Sequence, residues 1–252
     1  MPMDSNELER ADVHFTSSRD GAEIAGHAAW PRVAGSVPAV VLIPDVRGLY
    51  DFYRDVTVRL AGEGFFALSL DLYSREGAPD LPDMPSVFAW IRQLPDARVL
   101  GDVAAAVTFA QRHASVAGRA VGITGFCMGG QYALMAACTD ARLQACVSWY
   151  GMLRHEQLSE IKPVHPIDMA GDLRCPYLGL FGADDALIPA AGVEELRSRL
   201  EKARKVFEIR SYPGAGHAFF NQTRPDTYRA DAAADAWPRA VAFLRRHLVD
   251  TD

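Results

Sequence analysis

AVGITGFCMGGQYALMAACT, residues 120–139, runs for twenty residues without a charge between Arg119 and Asp140. That is about the length of a membrane-spanning helix. Gly122, Gly125, Gly129 and Gly130, with Thr124 and Gln131, make it too weakly apolar and too poor a continuous helix for that role. The residues divide better into three parts: a buried strand over Ala120–Thr124, a tight glycine turn over Gly125–Gly130, and a helical run from Gln131. A strand that turns at once into a helix is the building unit of a parallel sheet.

The flanking segments repeat that unit. Ala39–Ile43 (AVVLI) is apolar throughout and reads as a buried strand, followed by a helix near Asp51–Ala61 with Phe52, Val56 and Leu60 on one face. Phe65–Leu70 is the next strand. After a Pro-rich stretch at 79–95 that reads as irregular, a helix runs near Ala97–His113 on Val99, Val103, Ala106 and Ala110. Further strands fall at Ala145–Trp149, Tyr177–Phe181 and Val206–Tyr212, with helices near Ala190–Ala203 and at the C-terminus. Two more strands, Val13–Thr16 and Glu23–Trp30, lead the chain. The alternation predicts an α/β fold, a mostly parallel central sheet covered by helices on both faces in three layers. Ligands of such sheets bind beyond the carboxyl ends of the strands. No repeat or linker divides the chain, so 1–252 is expected to form one domain, with 1–9 a flexible N-terminal segment.

Composition excludes several classes. With 26 Lys+Arg against 32 Asp+Glu the net charge is −6, and without a basic run neither nucleic acid nor an anionic membrane is an expected partner. The N-terminus is polar and charged from Asp4, so no secretory segment is read. Cys127, Cys138, Cys146 and Cys175 lack C-x-x-C spacing and are expected to be free thiols in a reducing cytoplasm. No Cys/His/Asp/Glu set has ligand spacing, so neither metal nor cofactor is expected. A monomer is the default, with a homodimer open.

The glycine turn carries the chemistry. In Gly125-Phe126-Cys127-Met128-Gly129-Gly130 a cysteine stands where the strand–turn–helix nucleophile elbow usually has serine. The start of a helix favours a thiolate, and the Met128 N–H follows the nucleophile, placed to donate to an oxyanion. The bland alternative is a packing turn around an inert thiol. A thiol nucleophile needs a base, and the base an orienting acid, in the chain order nucleophile, acid, histidine. Behind Tyr177–Phe181 come Asp184 and Asp185, of which Asp185 is favoured. Behind Val206–Tyr212 comes His217 in a Gly/Pro-rich loop. Cys127, Asp185 and His217 are the candidate triad.

With GFCMGG (125–130), GADDALIP (182–189), YPGAGHAFF (212–220), VVLIPDVRGL (40–49) and ALSLDLYSR (67–75), the chain resembles the dienelactone hydrolase family of the α/β-hydrolase fold over roughly residues 10–248. The resemblance implies hydrolysis of a lactone or small ester, a small-molecule substrate, through an acyl-cysteine. It implies that Asp45 stands where the family has a Glu beside the resting thiol, that the Val46 N–H completes the oxyanion hole, and that Arg75 binds a substrate carboxylate. A second family Arg is replaced by Asn221. Tyr150, after the Ala145–Trp149 strand, is expected to line the pocket or pack beside it. The competing readings are acyl transfer from a Cys nucleophile and a redox-sensing or binding protein on a hydrolase fold.

Overall fold

The computed structural model describes residues 3 and 5–249. Eight strands form one sheet in the order β1-β2-β4-β3-β5-β6-β7-β8. They are β1 (Leu8–Thr16), β2 (Glu23–Pro31), β3 (Ala39–Ile43), β4 (Phe66–Leu70), β5 (Val121–Phe126), β6 (Leu143–Trp149), β7 (Tyr177–Gly182) and β8 (Phe207–Tyr212). β1 and β2 pair antiparallel, as do β2 and β4, and every pairing from β4 to β8 is parallel.

Apolar patterning explains the order. Every residue of β3, β4, β5 and β7 is buried, because helices cover both faces. The edge strand β1 is instead mostly exposed or half-buried, with only Leu8 and Phe15 buried. Helices α1 (Asp51–Gly62) and α6 (Ala230–Leu248) pack on one face, while α3 (Asp96–Arg112) and α4 (Met128–Thr139) pack on the other. α5 (Ala190–Lys202) lies against a 3-10 segment at Pro166–Asp172. No helix among the described residues is long and apolar enough to cross a membrane. The charge-free window is instead β5, one turn residue and α4, whose residues Met128 to Cys138 are all buried.

Two expectations are corrected. The stretch at 79–95 holds a helix, α2 (Met84–Gln93), whose N-cap Asp83 accepts a hydrogen bond from the Ser86 N–H at 2.9 Å. The prolines of the stretch lie before the helix, in its first turn or, for Pro95, beyond its end, where no intrahelical donor is lost. Residues 1–9 are not wholly a loose leader either. β1 begins at Leu8 and a 3-10 turn covers Ser5–Glu7, while residues 1, 2 and 4 lie outside the described ones.

Candidate active site

Cys127 is the single residue between β5 and α4, with φ +55° and ψ −117°. A non-glycine residue in the left-handed region is strained and is held only by its surroundings. Its N–H donates to Trp149 O at 2.9 Å, and its carbonyl accepts from Gln131 N at 3.1 Å. The neighbouring glycines allow close approach. A Cβ on Gly125 would meet the Gly129 carbonyl O at 2.1 Å, and one on Gly129 would meet Ile43 O at 2.2 Å. Alanine at either position would therefore push the elbow off β3 or off its own helix. The result is a partly exposed thiol at the N-terminus of a buried helix, at the carboxyl end of a central strand.

The candidate acid and histidine come from the ends of β7 and β8. Asp185, behind β7, is 4% exposed, whereas Asp184 faces solvent. One oxygen of Asp185 accepts the N–H groups of Leu187 (2.9 Å) and Ile188 (3.2 Å), and the other lies 2.8 Å from His217 Nδ1. His217, behind β8, is braced by the ring of Tyr150, edge-on at 5.2 Å between centroids. Its Nε2 makes no hydrogen bond. Burial alone would drive the imidazolium off. The charge of Cys127 beside it, joined by Asp185, offsets that burial and pushes His217 up to about 10. A Cys127→Ser variant removes the first of these supports. NMR titration of His217 is expected to give a value near 10 in the native protein and one well below it in the variant. Equal values would mean that the thiol and imidazole do not interact.

Cys127 and His217 line one cavity of about 240 Å³ together with Asp45 and Val46. The Val46 N–H has no hydrogen-bond partner among the described residues, and Met128 opens α4, where an N–H lacks an intrahelical acceptor. Asp45 is buried, which raises its carboxyl above the usual carboxylate range. It accepts from Arg47 N at 2.8 Å and from the Tyr50 hydroxyl at 3.4 Å. That hydroxyl in turn accepts from Asn221 Nδ2 at 2.7 Å. Asn221 is thus spent on holding Tyr50. Tyr150 has φ +39° and a buried hydroxyl without a partner, and it lies behind His217 instead of lining the cavity.

Arg75 departs from the sequence expectation. Its guanidinium forms ion pairs with Asp20 at 2.9 Å and with the buried Asp102 at 2.7 Å, away from the cavity. A cation held by two carboxylates has no free fork for a substrate anion. The cavity instead contains Arg47 and Arg224, whose side chains have no ion pair or hydrogen bond among the described residues. Sequence reasoning missed both. Arg47 directly follows the oxyanion candidate Val46, and Arg224 sits one turn beyond Asn221, its N–H bonded to Asn221 O at 3.0 Å. No group of three or more Cys, His, Asp or Glu among the described residues is arranged to hold a metal ion.

The profile of the dienelactone hydrolase family matches residues 24–248. A protein of Bradyrhizobium sp named "Probable 2-oxo-3-(5-oxofuran-2-ylidene)propanoate lactonase" is 38% identical over 229 residues, covering 91% of this chain and 92% of its own. A carboxymethylenebutenolidase, so named provisionally, from Escherichia coli (strain K12) is 37% identical over 225 residues, covering 88% of this chain and 82% of that one. The crystal structure of a provisionally named dienelactone hydrolase from Klebsiella pneumoniae subsp. pneumoniae MGH 78578 superposes with a TM-score of 0.87 at 36% identity, covering 94% of this chain and 99% of that one.

Proposed function

The chain belongs to the dienelactone hydrolase family, an α/β-hydrolase fold, and from that premise we propose that it hydrolyses a lactone or small carboxylic ester through an acyl-cysteine on Cys127. The observation that carries this reading is the convergence of the ends of four strands, β3, β5, β7 and β8, on one site. These supply a thiol on a strained elbow, an imidazole whose Nδ1 lies 2.8 Å from a buried carboxylate, and the Val46 and Met128 N–H groups.

The steps follow from that arrangement. The Cys127 thiolate attacks the ester carbonyl carbon, and the carbonyl π electrons move onto oxygen, where the Val46 and Met128 N–H groups receive the charge. The intermediate collapses by breaking the C–O bond, and the imidazolium gives its Nε2 proton to the departing alkoxide, which stays tethered if the substrate is a lactone. Neutral His217 then takes a proton from water as the water oxygen attacks the thioester. The C–S bond breaks, the acid leaves, and the thiolate–imidazolium pair is restored. Asp185 keeps the Nδ1 proton in place throughout. Four free thiols among the described residues suit a reducing compartment, in keeping with a cytoplasmic enzyme.

Arg47 and Arg224 favour a substrate that carries an anion. The propanoate in the name of the Bradyrhizobium relative is such a group. A charge-assisted hydrogen bond contributes about 1.5–3 kcal/mol. Arg224→Ala is therefore expected to lower kcat/KM for a carboxylate-bearing lactone about 10- to 100-fold more than for a neutral ester. Arg75→Ala should behave differently. It strands the buried Asp102 carboxylate, costs about 3 kcal/mol or more of stability, and leaves the anion preference in place. Parallel kinetics and thermal melts of the two variants check this, and loss of the anion preference in Arg75→Ala would contradict it.

A further inference from the structure

α2 differs from the other helices in what its apolar face meets. Met84, Val87, Phe88 and Ile91 recur at helical spacing and form one stripe. Such a stripe ordinarily buries itself against a sheet or another helix. Here α2 packs extensively on no other element, and of its ten residues only Val87 is buried. Met84 is 45% exposed, and all four stripe residues line the cavity that holds Cys127 and His217. Contacts on either side of the stripe hold α2 in place, through Trp90 edge-on to Tyr73 at 5.5 Å and an ion pair from Arg92 to Glu156.

Met152, from the loop that follows β6, lines the same cavity, and a buried polar cluster anchors that loop at His155 and Lys162. The Asp96 carboxylate accepts from Lys162 Nζ and the Tyr132 hydroxyl, both at 2.8 Å, and lies 3.0 Å from His155 Nε2. This cluster ties α3 and α4 to the loop that follows β6. The space between α2 and Met152 is therefore an apolar slot beside an anchored loop, in the cavity that holds the thiol. It is not a gap left by loose loops.

We propose that this slot selects the substrate: the α2 stripe takes an apolar substituent of the ester, a hydrocarbon group of about four to six carbons. The size follows from the cavity, whose 240 Å³ corresponds to about eight water-sized groups, part of which the ester itself fills. The chemistry follows from the lining. Only an apolar group gains by leaving water for contact with Val87, Phe88, Ile91 and Met152, and the cationic rim at Arg47 and Arg224 leaves the opposite end of the substrate free to carry charge. This inference rests on the hydrolase reading for its catalytic consequence, though not for binding.

The test uses straight-chain carboxylates from acetate to octanoate as binding probes, titrated calorimetrically into the unreacted protein, and the p-nitrophenyl esters of the same acids as substrates. Affinity and kcat/KM are expected to rise about fourfold per methylene from butyrate to heptanoate and to level off at octanoate. Phe88→Ser and Ile91→Ser should flatten that slope, and Phe88→Leu, which keeps an apolar side chain, should retain most of it. A flat series in the native protein, or an unchanged slope in both serine variants, overturns the proposal. Binding that rises with length while no ester is turned over would sink the hydrolase reading and leave the slot standing. Turnover without length dependence would do the reverse.

Discussion

Replacing Cys127 with alanine is expected to abolish ester turnover, with kcat falling by about four to six orders of magnitude, the range found when a nucleophile is removed from a working triad. No other thiol can substitute. Burial pushes Cys138 and Cys175 up to about 12 and Cys146 above its ordinary value as well, so at neutral pH all three are protonated and packed in the core. The same contrast predicts that iodoacetamide labels one cysteine in the folded protein. The alanine variant should fold, since Cys127 is only partly buried and its backbone is held by Trp149 O and Gln131 N. Unchanged p-nitrophenyl acetate hydrolysis by a folded Cys127→Ala protein would end the acyl-cysteine account.

Asp185→Asn should lower kcat about 10³- to 10⁴-fold. Shape is nearly conserved, and the amide oxygen can still accept from Leu187 and Ile188, as Asp185 Oδ1 does at 2.9 and 3.2 Å. The atom facing His217 then becomes an NH₂ donor. Nδ1 must accept from it, which moves the neutral imidazole's proton to Nε2, the nitrogen that has to take a proton from water. The variant also loses one of the two charges that keep His217 protonated, so its titration falls from about 10. Asp184→Asn is the control. Asp184 is exposed, its N–H bonds Ala215 O at 2.9 Å, and its carboxylate makes no contact with His217. If the two variants lose activity equally, the acid has been misassigned.

Much of the scaffold could be read from the chain because local signals and tertiary needs coincide there. The AVVLI run is apolar at every position because β3 is covered on both faces, and its boundaries match the expected ones. The order of Cys127, Asp185 and His217 follows the order of β5, β7 and β8 across one half of the sheet. Asp184 and Asp185 could not be separated by composition, since both are charged residues in one loop. What distinguishes them is the turn that buries the second and exposes the first. Arg75 misled for a related reason. Its partners Asp20 and Asp102 are distant in sequence and meet it only once β2, β4 and α3 are in place. α2 was hidden by its prolines, which mark loops more often than first turns, and because its apolar stripe faces the substrate cavity. Arg47 and Arg224 carry no motif. Only the cavity shows that both are free.

The most direct test of the central claim is mass spectrometry of the protein acid-quenched during turnover of p-nitrophenyl acetate, followed by peptide mapping. A single acetyl group is expected on the peptide containing Cys127, linked as a hydroxylamine-labile thioester, accumulating further in Asp185→Asn and absent from Cys127→Ala. Turnover with no adduct, or with the acetyl group on another residue, would contradict it.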